Sequence, residues 1–119
     1  MALPIRWLTE KLAVAGQISP SDLSEIASSG FQSVICNRPD FEYGADQPTA
    51  ESIQSAAEQA GLKFRFLPVT PDGGTAANAQ EMGVLLSEMP QPILAYCYSG
   101  GRCMALIGLA ARMGHVIPE

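Results

Sequence analysis

The chain has little of what many catalytic sites rely on. It contains a single histidine, His115, close to the C-terminus. It has three cysteines, Cys36, Cys97 and Cys103, an odd set without metal-ligand spacing. That argues against a disulfide framework and against a zinc site, and for reduced thiols in the cytoplasm. No metal and no cofactor is called for by any motif. Basic residues are scarce: seven Lys and Arg against twelve Asp and Glu leave a net charge of −5. Broad binding to nucleic acid or to an anionic membrane is therefore not expected. Long uninterrupted hydrophobic runs are also missing. The N-terminal MALPIRWLTEKL has no apolar core of signal-peptide length, and the most apolar stretch, Ile93–Ala111, is broken by Ser99, two glycines and Arg102. No repeat or low-complexity segment is present.

What is there suits a small globular domain. A hydrophobic content of 47% over 119 residues is enough for one domain with one core, spanning residues 1–119. The chain ends soon after its last apolar segment, so it also reads as truncated at the C-terminus or as one domain of a larger protein.

The stretch Pro92–Ala111, PILAYCYSGGRCMALIGLAA, concentrates the chemistry. Ile93–Tyr96 is a short apolar run that predicts a buried strand, and the Ala, Leu and Met residues from Cys103 onward predict a helix. Between them lies Cys97-Tyr98-Ser99-Gly100-Gly101-Arg102. Glycines let the backbone curl so that several N–H groups point inward, and the helix N-terminus adds partial positive charge. Tyr98, Ser99, Gly100, Gly101 and Arg102 thus form a candidate anion-binding loop, with Arg102 as a two-pronged clamp. A cysteine at the floor of such a field, Cys97, should be held largely as the nucleophilic thiolate. The plainer alternative is an ordinary strand-to-helix turn with a buried cysteine and a surface arginine.

The rest of the chain supplies a frame for that loop. Ile5–Leu8 and Leu12–Ala15 read as two strands around a turn. Ser19-Pro20 starts a helix whose apolar face is Leu23, Ile26 and Ala27, ending at Gly30. Phe31–Cys36 is a strand, with Cys36 facing the core. Thr49 caps a helix over Ala50–Ala60, stopped by Gly61. Leu62–Val69 is a strand in which Phe64, Phe66 and Pro68 alternate with Lys63, Arg65 and Leu67. A third helix, Ala76–Glu88, turns Met82, Leu85, Leu86 and Met89 inward. Alternating strands and helices predict a three-layer α/β fold, with a mostly parallel central sheet and helices on both faces. The Cys loop then joins the last strand to the following helix.

In such sheets ligands gather beyond the carboxyl ends of the strands. Asn37–Pro48, NRPDFEYGADQP, leaves one of those ends, so Arg38 and Asp40 are candidates to reach the site of Cys97; otherwise they form an Arg–Asp pair in a solvated loop. Thr70–Thr75, TPDGGT, leaves another, and Asp72 is either a general acid for a leaving group or a turn residue. His115 is either a general base or a loose tail residue.

AVAGQISPSDLSEIASSGFQSVICNRPD, QPTAESIQSAAEQAGLKFRFLPVT and PILAYCYSGGRC resemble, in that order, the phosphatase-like domain of beta-lactamase-hydrolase-like proteins. The resemblance runs from Arg6 to Met113. It implies a fold like that of the protein tyrosine and dual-specificity phosphatases, with Cys97 as nucleophile, Ser99–Arg102 as the anion loop, and Asn37-Arg38 beside the site. It also implies a possible fused or partner metallo-hydrolase linked with persulfide oxidation. The chain departs from phosphatases in ways that bear on chemistry. Tyrosine phosphatases place one residue more between Cys and Arg, whereas rhodanese sulfurtransferases resemble the spacing found here. Tyr96 stands where phosphatases usually have His. Cys103 stands where they have a hydroxyl that helps release phosphate.

Three functions follow as expectations. In the preferred one, the Cys97 thiolate takes sulfur from a small anionic sulfane-sulfur donor and passes it to a thiol acceptor, with Cys103 as an acceptor in cis or merely a buried thiol. In the second, Cys97 attacks a phosphomonoester, forming a thiophosphate intermediate, while Arg102 binds its oxygens and Asp72 protonates the leaving group. In the third, the chain is a non-catalytic anion-binding or redox-sensing module with a reversible Cys97–Cys103 disulfide.

Overall fold

A computed structural model describes residues 4–119. Strand β1 (Ile5–Thr9) turns back on β2 (Leu12–Ala15). A 3-10 turn, Pro20–Asp22, leads into helix α1 (Leu23–Ser28), followed by β3 (Ser33–Cys36), α2 (Ala50–Gln59), β4 (Lys63–Phe66), α3 (Ala76–Glu88), β5 (Ile93–Tyr96) and α4 (Gly101–Arg112). The five strands form one sheet in the order β1-β2-β5-β3-β4. β1 is antiparallel to β2, and the other neighbouring pairs are parallel. This is the expected α/β architecture.

Both faces of the sheet are covered because β2, β3 and β5 are apolar on both sides; all their residues are buried. On one face Val14, Ile35 and Ala95 pack with Met82 and Leu86 of α3 and Leu106 of α4. On the other, Ala13, Val34 and Leu94 pack with Ile26 of α1 and Ile53 and Ala57 of α2. Thr49 caps α2 as expected, its hydroxyl accepting the Ser52 N–H at 3.1 Å. Ser19 opens its helix differently: its own N–H donates to the Asp22 carboxylate at 2.8 Å.

The expected alternation along Leu62–Val69 is corrected. Regular pairing ends at Phe66, which is 42% exposed, while Leu67 and Val69 turn into the core. β4 is an edge strand, so nothing on its far side holds Phe66 in the pleat, and burial of Leu67 and Val69 sets the path instead. The expected loose tail is also corrected. A β-carbon on Gly83 of α3 would overlap the His115 ring, and the Thr9 hydroxyl donates to the Pro118 carbonyl at 2.7 Å. The tail is folded down onto α3 and β1, and His115 lies there. Among the described residues no helix is long and apolar enough to cross a membrane.

Candidate active site

The register of the sheet lines up the residues that leave it. Tyr96 is opposite Ala15 on one side and Cys36 on the other, and Cys36 is opposite Phe66. Gly16, Cys97, Asn37 and Leu67 therefore leave the same edge at one level. Hydrogen bonds lace these exits together. The Cys97 N–H donates to Ala15 O at 3.2 Å, the Gln17 N–H to Tyr98 O at 3.2 Å, and the Asn37 N–H to Tyr96 O at 2.8 Å. Asn37 also bridges outward, its amide Nδ2 donating to Leu67 O at 3.0 Å.

Two glycines make the Cys loop possible. Gly100 has φ 94, a left-handed conformation that a side chain disfavours, and it hands the chain to α4 at Gly101. Gly16 is where β2 leaves the sheet, and a β-carbon there would fall 2.9 Å from Tyr98 O. The curl brings the Gly100 N–H to 3.1 Å from the Cys97 sulfur. Cys97 itself is 1% exposed, so it forms the floor of the loop. Against the outer side of the loop lies a cavity of about 500 Å³, lined in part by Arg6, Ala15, Ser99, Gly100, Gly101 and Met104.

The thiol of Cys97 is pulled down to about 5. The leading cause is the Cys103 side chain, which lies within hydrogen-bonding reach; burial opposes it, and the N–H groups of Cys103, Ser99 and Gly100 add to it. The lowered pKa was expected; its leading cause was not. The sequence pointed to glycine-loop amides and Arg102, whereas the residue just after the arginine contributes most. Cys103 itself is pushed well above the ordinary thiol range, first by burial and then by the neighbouring Cys97. Cys36 is likewise raised, to about 11, by burial, and its thiol donates to Arg38 O at 3.3 Å. It faces the core, as anticipated.

Arg102 is buried, and its fork is already filled. Nη1 donates to Glu42 Oε2 at 2.9 Å and Nη2 to Glu42 Oε1 at 3.1 Å. Nη1 also donates to Val69 O at 3.0 Å. Burial works against the charge of Arg102, but the Glu42 carboxylate outweighs it and raises the guanidinium's affinity for its proton. Arg38 joins the same carboxylate, with Nε 3.1 Å from Oε1, and its Nη1 donates to Gln17 Oε1 at 2.9 Å. Burial works to raise the pKa of Glu42, yet Arg102 and then Arg38 hold it below the usual carboxylate range. The Arg38 guanidinium also lies 4.8 Å from the centre of the Tyr98 ring, which meets Tyr43 edge-on at 5.2 Å.

Arg38 therefore shares the Glu42 carboxylate with Arg102. Asp40 has another partner. Its Oδ1 accepts the Ala50 N–H at 2.7 Å, at the start of α2, where a carboxylate suits the free N–H groups and the helix dipole. The alternative Arg38–Asp40 pair is corrected: the partner of Arg38 is Glu42. Asp72 is fully exposed and engaged in its own turn, accepting from the Thr70 hydroxyl and from the Gly74 N–H. Those two contacts, the hydroxyl first, lower its pKa. Sequence reasoning missed Glu42, Gln17 and Tyr43. The acidic loop FEYGAD offered the only signal for Glu42, and nothing local distinguished it from Asp40. Among the described residues no three His, Cys, Asp or Glu side chains converge as metal ligands.

The arrangement is an activated thiolate on a floor of amides, with a second thiol beside it and two arginines sharing one carboxylate alongside. Comparison with known proteins places it. The chain is 33% identical over 103 residues to a beta-lactamase hydrolase-like protein of Xylella fastidiosa, covering 87% of this chain and 24% of that one. It thus spans about a quarter of that relative's length. Among solved structures, a phosphatase candidate from Neisseria meningitidis superposes with a TM-score of 0.85 at 33% identity, over 98% of this chain and 82% of that one. A kinase-associated phosphatase superposes with a TM-score of 0.77 at 17% identity, over 99% of this chain and 78% of that one, a likeness of fold alone. The sheet, the Cys loop and the helix that follows it are those of a protein tyrosine phosphatase-like fold. The family described as beta-lactamase hydrolase-like protein, phosphatase-like domain, matches residues 4–113. The chain belongs to that phosphatase-like domain family.

Proposed function

We propose that this domain is a cysteine-dependent sulfurtransferase. The Cys97 thiolate attacks the sulfane sulfur of a donor such as thiosulfate or glutathione persulfide. The bond between that sulfur and the donor breaks, sulfite or the donor thiolate leaves with the electron pair, and Cys97 is left as a persulfide. An acceptor thiolate then attacks the outer sulfur, takes it as a new persulfide, and returns Cys97 as thiolate. The loop amides and Arg102 stabilise the anionic persulfide between the two steps.

The observation that carries this reading is the pairing of two sulfurs at the floor of the loop, Cys97 held ionised with Cys103 beside it. Two further features point the same way. The Arg102 fork is engaged by Glu42. Asp72, the candidate acid, is fully exposed and tied into its turn, with a pKa lowered rather than raised as a proton donor at neutral pH would need. Sulfur transfer needs no proton delivered to a leaving alkoxide. In cis, the Cys103 sulfur can attack the inner sulfur of the persulfide, giving a Cys97–Cys103 disulfide and releasing hydrosulfide.

The second reading, hydrolysis of a phosphomonoester through a Cys97 thiophosphate, is favoured by the phosphatase description of the Neisseria structure and by the shared fold. We further propose, from the family resemblance, a fused or partner persulfide-oxidising metallo-hydrolase as the physiological partner, and, from the cysteine usage, a cytoplasmic setting.

Intact-mass measurement after incubation with glutathione persulfide tests the proposal. One added sulfur, mapped to Cys97, is expected. A loss of two hydrogens with neither an adduct nor release of hydrosulfide supports the redox-sensing module instead. Turnover of an aryl phosphate that Cys97→Ser abolishes, with no sulfur adduct, overturns sulfur transfer in favour of the phosphatase.

A further inference from the structure

We propose that Glu42 determines the charge selectivity of this site: its carboxylate is a resident anion on Arg102 and Arg38, and it disfavours doubly charged oxyanions relative to singly charged or neutral sulfane-sulfur donors. The proposal rests on the reading of the Cys loop as an anion-holding site and adds to it a substrate class.

The geometry is that of an occupied clamp. Both carboxylate oxygens of Glu42 face Arg102, at 2.9 and 3.1 Å, and Oε1 also accepts from Arg38 Nε at 3.1 Å. All three side chains are sheltered, with 6% of each arginine and 8% of Glu42 exposed. Such a triad is screened far less than a surface pair. Two guanidiniums, one carboxylate and the Cys97 thiolate sum to no net charge. A dianion entering this site therefore either displaces Glu42 or lies beside two negative groups. Of the two donors named above, thiosulfate is such a dianion and is the disfavoured one, whereas a persulfide carries one charge or none on its sulfurs and meets much less repulsion.

The loop is built to bring this one residue inward. Phe41, immediately before it, has φ 57, a left-handed conformation uncommon for a non-glycine residue, and its own ring is left 61% exposed. The Glu42 N–H donates to Gln47 Oε1 at 3.1 Å, and Gln47 Nε2 donates to Pro39 O at 2.8 Å, which closes the loop on itself. The arginines do not depend on Glu42 alone for their positions. Arg102 is also held by Val69 O, and Arg38 by Gln17 and the face of Tyr98. Removing the charge at residue 42 should therefore free the guanidiniums without releasing them.

Tungstate and perrhenate test this, because they are tetrahedral oxyanions of nearly equal size that differ by one charge at neutral pH. Each is titrated as a protectant of Cys97 against iodoacetamide. Wild-type protein is expected to be protected no better by tungstate than by perrhenate. In Glu42→Gln, which keeps a hydrogen-bond acceptor and loses the charge, the preference should move toward tungstate by about tenfold. An unchanged ratio, a shift toward perrhenate, or no protection by either anion overturns the proposal. So does a wild-type protein that already prefers tungstate strongly, a result that stands even if the variant fails to fold. The assay reads anion binding beside the Cys97 sulfur and not sulfur transfer. Charge selectivity without any sulfur adduct would thus remove the proposed activity and leave the role of Glu42, and the converse would do the reverse.

Discussion

Glu42 grips both terminal nitrogens of Arg102 although the two residues lie sixty positions apart in the chain. The pair is sheltered from water, with 6% of the arginine and 8% of the glutamate side chain exposed. A bidentate, desolvated contact of this kind depends on the planar shape of the guanidinium, not only on its charge.

Arg102→Lys keeps the charge and loses the fork. Sulfur loading of Cys97 is expected to slow by about tenfold or more, and the domain to lose about 2 kcal/mol of stability, because Glu42 is left with an imperfect partner. Intact-mass time courses and urea unfolding measure the two effects. Loading at the wild-type rate would contradict a role for the guanidinium at the loop.

Cys103 is the leading cause of the low pKa of Cys97, so its removal should be legible at the neighbouring sulfur. In Cys103→Ala the pKa of Cys97 should rise from about 5 by about one unit, the worth of one hydrogen bond to a charged acceptor. Cys103→Ser, which restores a donor, should fall between. The pH dependence of iodoacetamide alkylation reads this directly. The same experiment has an internal control: Cys36, pushed up to about 11, should remain unmodified at mildly acidic pH while Cys97 reacts. Superimposable profiles for all three proteins would remove Cys103 from the account.

The depressed pKa also couples stability to pH. The Cys97 thiol has an ordinary value of 9.0 and a folded value of about 5. Between these values the unfolded chain holds a proton that the folded chain has released, so stability rises with pH. The contribution is complete above the unfolded pKa and is lost as pH falls through the folded one. Between about pH 6 and about pH 8 the wild type should therefore gain up to about 2.7 kcal/mol more than Cys97→Ser gains. Parallel pH profiles in urea unfolding would show that the thiolate is not formed in the folded state. Above the ordinary thiol range the buried Cys36, with its raised pKa, works in the opposite direction, and its contribution is lost as pH rises toward about 11.

Gly16 is the point where β2 supports the Cys loop. A β-carbon there would come within 2.9 Å of the Tyr98 carbonyl, and that contact is with backbone, which cannot swing aside. Gly16→Ala should push the loop away from β2 and strain the adjoining bond from the Gln17 N–H to Tyr98 O, now 3.2 Å. A loss of about 1–3 kcal/mol and a slower alkylation of Cys97 are expected. A variant with unchanged thermal stability and thiol reactivity would show that the loop tolerates the displacement.

Much of this was legible because the informative residues are neighbours in the chain. The Ile93–Tyr96 strand, the Gly100-Gly101 curl and the Ala-rich helix follow one another directly, so the Cys97 loop could be read from local preferences alone. The Thr49 cap and the apolar helical faces that cover the sheet were equally local. Legibility failed in the polar loop after β3. Asp40 and Glu42 are two acidic residues of similar local context. One caps α2 and the other enters the site, and only the path of the backbone through Phe41 separates them.

The order of residues alone therefore settled the layered α/β plan, the loop between the last strand and its helix, and the presence there of a cysteine and an arginine. Periodicity, glycine and capping act over a few residues and need no folded context. The tertiary structure alone decided which carboxylate meets Arg102, that Arg38 shares it, and that Cys103 does most to ionise Cys97. Those contacts join side chains from strand ends brought level by the register of the sheet, and no preference of a short segment specifies which distant segment will lie beside it.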